Sequence, residues 1–381
     1  MPKKIKVSLV TNYVGDAQFS MITYAEQLEK SLRFSFPDLC DISIHTPSGG
    51  GFGRTIRRFS TGRKIDSYWN RFVVHPAITK KISGGINHIT DHNNSYLIRY
   101  LDPLRTVITC HDLIYFCIPK KVRDNMLLFS PQHKIRKYTV SGLTMAAKII
   151  ADSESTKKDI VELFRVPSDN IKVIYPGIRP SFYTIKNTDI FREGRKRFHI
   201  NWDKTILHVG DNSYYKNVEA VLNVIKLLND RLGEDIHLVK VGKDFTHKQK
   251  KLIHDLKIVN YIHNFGNIGD VDLNLIYNLS DVLVFPSLYE GFGWPPLEAM
   301  SCGVPVVCSE TGSLKETAGS AALIVDPYNN EDIAEAVTLL LYDPLIRQKK
   351  IRQGLENVKR FDWRKTAEAV INVYKNVLEI C

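Results

Sequence analysis

Two carboxylates stand eight positions apart in the segment Glu290-Gly291-Phe292-Gly293-Trp294-Pro295-Pro296-Leu297-Glu298. Two glycines lie between them, followed by a Pro-Pro pair of the kind that opens a helix. An apolar run over residues 282–286 leads in and another over 297–302 leads out, so the stretch reads as strand, glycine loop, helix. One acid then sits on the loop and the other in the first helical turn, with main-chain N–H groups between them. A carboxylate offers two acceptor oxygens to neighbouring hydroxyls, and amides near a helix start favour negative charge. A nucleotide sugar carries both features. Each residue alone also has a structural reading: Glu298 complements the helix dipole, and Gly291 and Gly293 make a turn.

Three further places carry chemistry. Gly210 and Lys216 fall in His208-Val209-Gly210-Asp211-Asn212-Ser213-Tyr214-Tyr215-Lys216-Asn217, after one strand pattern and before a helical one. A lysine at a helix start can hold a diphosphate, or simply be solvated. The segment is not G-x-G-x-x-G, so it gives a dinucleotide fingerprint little support. His111-Asp112 ends the strand pattern 106–109, where an imidazole can bind a hydroxyl or serve as an ordinary hydrogen-bonded residue. Gly15 follows the first strand pattern, as a turn or as backbone close to a ligand.

The elements that must position these residues alternate in the βα manner. Strands are expected at 5–10, 42–45, 86–90, 106–109, 148–151 and 172–175, with helices at 20–34, 67–82, 131–147 and 155–164. The plan repeats with strands at 205–209, 237–241, 262–265, 282–285, 304–307 and 322–325, and helices near 218–231, 247–256, 271–279 and 333–341. Residues 180–201 are polar without clear periodicity and read as a linker. The expected division is a domain over 1–183, a linker over 184–201 and a domain over 202–362, with 363–378 as a final helix.

The 381 residues, 44% hydrophobic and 24% charged, suit two or three soluble domains. No apolar run approaches the ~20 residues of a membrane span, and no signal-peptide pattern follows Lys3 and Lys4. The six cysteines are scattered without C-x-x-C spacing and read as free thiols of a reducing, cytoplasmic setting. Net charge is +11, and residues 1–183 hold 27 basic against 15 acidic side chains, so the whole excess lies there. Within it, Gly49–Gly53 precedes Arg54, Arg57, Arg58, Arg63 and Lys64, interleaved with Phe59, Tyr68 and Trp69. Such a segment contacts an anionic membrane or an acceptor diphosphate, or is a solvated loop. No acidic cluster marks a dedicated metal site.

Residues 281–319, from the glutamate segment through Pro296-Leu297-Glu298-Ala299-Met300-Ser301-Cys302-Gly303-Val304-Pro305, resemble the E-x7-E signature of the retaining, nucleotide-sugar-dependent glycosyltransferases of group 1. The resemblance implies the α/β GT-B fold: two Rossmann-like, doubly wound domains facing across a deep cleft. It implies a UDP-sugar or GDP-sugar donor, a carbohydrate or lipid-linked acceptor, transfer with retention, and no metal or other cofactor. Glu290 would then bind donor-sugar hydroxyls and Glu298 the ribose. Lys216 and Gly210 would meet the diphosphate, His111 the donor sugar, and Gly15, Gly291, Phe292, Gly293 and Leu297 would line the donor. Many relatives place a second basic residue where this chain has Asp211 or Tyr215. Two other classes stand beside this reading. An inactive partner subunit would bind nucleotide sugar without transfer. A basic nucleic-acid or membrane-surface module would bind oligonucleotides or lipid in a salt-sensitive way and ignore nucleotide sugars.

Overall fold

Among the described residues, the mainly apolar runs form twelve strands in two parallel sheets. The computed structural model describes residues 4–16, 18–47, 60–117 and 131–380. The glycine run 49–53 with Arg54, Arg57, Arg58 and Phe59 lies outside the described residues, as do the side chains of Arg63 and Lys64. The chain divides into one unit of Met1–Gly177 with Phe361–Cys381 and another of Ile178–Arg360.

The first unit holds β1 (Ile5–Val10), β2 (Cys40–His45), β3 (Ile86–Ile89), β4 (Thr106–Cys110), β5 (Lys148–Ala151) and β6 (Ile171–Val173), in the order β2-β1-β3-β4-β5-β6. β3 and β4 are buried along their whole length, as expected of central parallel strands covered on both faces. The C-terminal ends of β1, β3, β4 and β5 deliver Asn12, Asp91, His111 and Asp152 to one edge of the sheet. The last helix, Trp363–Ile380, packs here. Ser31 donates to the Trp363 carbonyl at 2.9 Å, and Tyr374 meets Nδ1 of the buried His88 at 2.7 Å.

The second unit holds β7 (Lys204–Val209), β8 (Ile236–Val241), β9 (Ile262–Asn264), β10 (Val282–Phe285), β11 (Val306–Ser309) and β12 (Leu323–Val325), in the order β12-β11-β10-β7-β8-β9. Chain order reverses between β7 and β10, and the loops leaving those two strands carry Gly210 with Lys216 and Glu290 with Gly293. Open α/β sheets bind ligands at such a reversal, beyond the strand ends. Ile206, Val224, Leu238, Val284, Val307 and Val337 belong to the core beneath.

Residues 184–201, expected as a linker, fold into the second unit. The helix Thr188–Arg197 is capped by Asn187, whose side chain accepts from the Asp189 amide at 2.8 Å. Residues 178–183, assigned by sequence to the first domain, also join the second unit. Side chains of the helix Asp270–Asn278 hold the segment down: Asn274 accepts from the Tyr183 amide at 3.0 Å, and Asn278 from that of Ile185 at 2.8 Å. The single helix expected at 67–82 is a helix over Ser60–Trp69, a π turn over Asn70–Val74 and a further turn over His75–Thr79. The helix expected at 131–147 ends at Val140; two residues on, Gly142 packs so close to the Ser95 carbonyl that no side chain fits there. Among the described residues, no helix is long and apolar enough to cross a membrane.

Candidate active site

Lys216 and Glu290 meet at the reversal point of the second sheet. The Lys216 ammonium donates to Glu290 Oε1 at 2.7 Å, with the two side chains only 14% and 8% exposed. Local structure fixes both. Asn217 adopts a left-handed conformation (φ 54°) and donates to the carbonyls of Pro286 and Pro327 at 3.1 and 2.7 Å. The Leu288 amide donates to the Tyr215 carbonyl at 2.6 Å, tying the two loops together. Behind Glu290, the Ser313 amide donates to its carbonyl at 3.0 Å. Gly312 sits at φ +59°, and a Cβ there would fall 2.4 Å from the same oxygen, so only glycine fits. Gly293, at φ +86°, precedes the helix Trp294–Ser301, and a Cβ on it would meet Leu314 at 2.6 Å.

Glu298, in that helix, is 2% exposed. Its Oε1 accepts from Arg179 Nη2 at 2.6 Å and its Oε2 from the Tyr277 hydroxyl at 2.9 Å. Arg179 also pairs with Asp270 at 2.5 Å. Burial pulls the guanidinium toward neutrality, and Glu298 and Asp270 hold it charged. The two donors therefore fix the carboxylate's orientation and leave lone pairs for a ligand. Arg179 and Tyr277 were not singled out by sequence. Leu297 is fully buried, so its side chain packs the core; Phe292 is 7% exposed.

His208, inside β7, is buried, and its Nδ1 lies 3.0 Å from the Val284 carbonyl. A carbonyl only accepts, so Nδ1 carries the hydrogen. Its Nε2 is buried with no hydrogen-bond partner among the described residues. A Cβ built on Gly210 would lie 3.5 Å from Cδ of Lys216 and 3.8 Å from this Nε2, so the three groups share one small space. Burial first, then Lys240 and Lys216, depress the imidazole to about 4. Lys240, buried at the end of β8, gives its ammonium to the carbonyls of Gly210 and Lys243.

In the first unit His111 is held at both nitrogens. Nδ1 lies 2.6 Å from Asp152 Oδ2 and Nε2 2.8 Å from the Thr90 carbonyl. Burial depresses the ring, but Asp152, Asp91 and the Thr90 bond outweigh it and raise it to about 9. Both nitrogens then donate, and His111 is an imidazolium at neutral pH. Asp152, itself pushed up by burial and pulled down by His111, is the matching carboxylate. Asp91 accepts from Asn12 Nδ2 and from the Asn93 amide, at 2.5 and 2.8 Å. The sequence flagged His111 but not the partners brought in from β1, β3 and β5. Gly15 lies in a 3-10 turn, where a Cβ would strike the Tyr13 ring at 2.4 Å.

Two all-parallel sheets, each flanked by helices, with a lysine–carboxylate pair at the second sheet's reversal point, define a protein of two Rossmann-like domains. Residues 191–358 match the profile of glycosyl transferases group 1, and residues 39–182 that of glycosyltransferase family 4. The chain is 30% identical over 287 residues to the O-antigen chain mannosyltransferase B of Escherichia coli, covering 74% of this chain and 72% of that protein. Among solved structures it is similar to sucrose-phosphate synthase from Thermosynechococcus elongatus, with a TM-score of 0.74 and 18% identity, covering 99% of this chain and 100% of that one. It is similar also to Anabaena HepE in complex with UDP and glucose, with a TM-score of 0.70 and 15% identity, over 98% and 100% of the two chains. The chain belongs to the group 1 glycosyl transferases, and its fold is GT-B.

Proposed function

We propose that this protein transfers a sugar from a UDP-sugar or GDP-sugar to an acceptor hydroxyl, with retention and without a metal, in the synthesis of a cell-surface glycan. The observation that carries the reading is the Lys216–Glu290 pair at the β7/β10 reversal. A free cation–carboxylate pair at a ligand-binding edge can be split by a ligand carrying both charges to neutralise and hydroxyls to bind. The diphosphate would take Lys216, and the sugar hydroxyls would take Glu290. Glu298, braced by Arg179 and Tyr277, would accept from the ribose hydroxyls.

In the transfer step the bond from the anomeric carbon to the phosphate oxygen breaks and the bond to the acceptor oxygen forms on the same face. The acceptor proton passes to the departing phosphate oxygen. Lys216 would stabilise the charge that develops there. His111 would act as a fixed positive charge; its two N–H groups are already spent on Asp152 and Thr90. The glycan class is supported by the likeness to the O-antigen chain mannosyltransferase B of E. coli, and a nucleotide-sugar donor by that to HepE in its complex with UDP and glucose. The acceptor would be a carbohydrate or a lipid-linked glycan. The basic excess of residues 1–183 supports peripheral contact with an anionic membrane on the cytoplasmic side.

The test is a mass-spectrometric screen of UDP- and GDP-sugars against simple acceptors. Transfer or slow donor hydrolysis from one nucleotide class is expected, and neither product from any donor would refute the reading.

A further inference from the structure

We propose that His208 is a further donor-site residue: neutral in the free protein, it takes up a proton when the donor diphosphate binds beside Gly210, so that donor binding is coupled to proton uptake. This rests on the reading that the diphosphate is held by Lys216.

The geometry comes first. Nδ1 is committed to the Val284 carbonyl, which leaves Nε2 as a bare acceptor. A buried acceptor without a donor is costly, and folds rarely retain one without a use. This one faces the space beside Gly210, 3.8 Å from where a Cβ on that glycine would stand, a point that is also 3.5 Å from the Lys216 stem. A phosphate that takes Lys216 beside Gly210 then sits next to Nε2.

The charged groups around the ring decide its state. From β8 Lys240, and from the β7 loop Lys216, oppose a proton on His208; Asp211, also on the β7 loop, favours one. β10 contributes the apolar Phe285 ring, with centroids 6.0 Å apart, and the Val284 carbonyl. Glu290, on the loop after β10, is neutralised by Lys216. The free site is thus held neutral by burial and two cations. A diphosphate brings two negative charges to this point, reversing the local sign, and a nearby opposite charge favours the protonated ring. The proton comes from solvent and adds to Nε2, and no other bond changes. The imidazolium would then supply a second positive charge to the leaving group beside Lys216.

Calorimetric titration with UDP-glucose and GDP-mannose tests this. Their diphosphate diesters have no group titrating near neutrality, so any exchanged proton belongs to the protein. At pH 6.5, in buffers of different ionisation enthalpy, the wild-type protein should take up close to one proton per donor bound. Lys240, lowered only to about 8, stays charged throughout at that pH. Donor affinity should fall on going to pH 8. His208→Asn, which keeps a donor for Val284, should bind without proton uptake at pH 6.5 and lose less affinity than the wild type between pH 6.5 and pH 8. Binding by the wild-type protein with no buffer-dependent heat would overturn this inference and leave the donor reading intact. No binding of either donor would overturn both.

Discussion

His111 and His208 are both buried at the C-terminal edge of a parallel sheet, one in each unit, yet their ionisation is pushed in opposite directions. Burial alone would make both neutral. His111 faces a carboxylate and a carbonyl, and it is charged. His208 faces one carbonyl and two lysines, and it is neutral with one nitrogen bare. The difference lies in the second nitrogen's company and not in depth. The first unit therefore carries a permanently built charge, and the second a neutral group that a ligand's charge can convert.

The strongest way to break this contrast is to remove the His111 partner. Asp152→Asn leaves a buried imidazolium without its counter-ion, and breaking a buried pair costs about 3–5 kcal/mol. Denaturant unfolding at pH 7 should show that loss, and the deficit should shrink above pH 9, where His111 is neutral even in the wild type. An equal deficit at pH 7 and pH 10 would mean that His111 is not charged. Next in size, Lys216→Ala should lower kcat by roughly 100- to 1000-fold, as loss of a stabiliser of developing charge does. Circular dichroism should confirm an unchanged fold. The same variant should bring the His208 titration back toward 6.5, read from its ring proton resonances, and a static titration would detach the two residues.

The pH dependence of stability separates the histidines further. His111 has a raised folded pKa, so its contribution is complete below about 6.5 and fades as pH climbs through about 9. His208 has a lowered one, so the unfolded chain binds the proton first, and stability drops as pH falls from about 6.5 toward about 4. His208→Asn should lessen the acid-side slope, to which His75, His88 and His263 also contribute, and leave the alkaline side unchanged. The smallest change in turnover belongs to Lys240→Met, which removes one of the two cations near His208. It should raise the His208 titration at least as far as Lys216→Ala does while leaving His111 untouched, as chemical-shift titration of both rings would show.

Much of this was legible in the sequence. The run that became β10 is continuously apolar, and those of β1 and β7 are mostly aliphatic. The glutamate segment announced strand, loop and helix through Gly293 and the Pro-Pro pair. Two of the longer described helices were missed for one physical reason: Thr188–Arg197 and Pro344–Asn357 each bury a glycine, Gly194 against Leu275 and Gly354 against Met300, in place of an apolar stripe. Their caps, Asn187 and Asp343 before Pro344, were the signal available. The partners Asp152, Arg179 and Tyr277 come from 41, 119 and 21 residues away, and no local spacing encodes such pairings. Leu297 was read as donor-lining because of its position in the motif, whereas its side chain belongs to the core.

On the proposed function, the second unit grips a nucleotide sugar through Lys216, Glu290 and Glu298. Thermal unfolding with UDP- and GDP-sugars tests it most directly, since a ligand at 100 times its Kd adds about 2.7 kcal/mol to the folded state. One nucleotide class should raise the wild-type Tm and fail to raise that of Lys216→Ala or Glu298→Ala. A wild-type Tm indifferent to every nucleotide sugar, or an undiminished rise in both variants, would contradict it.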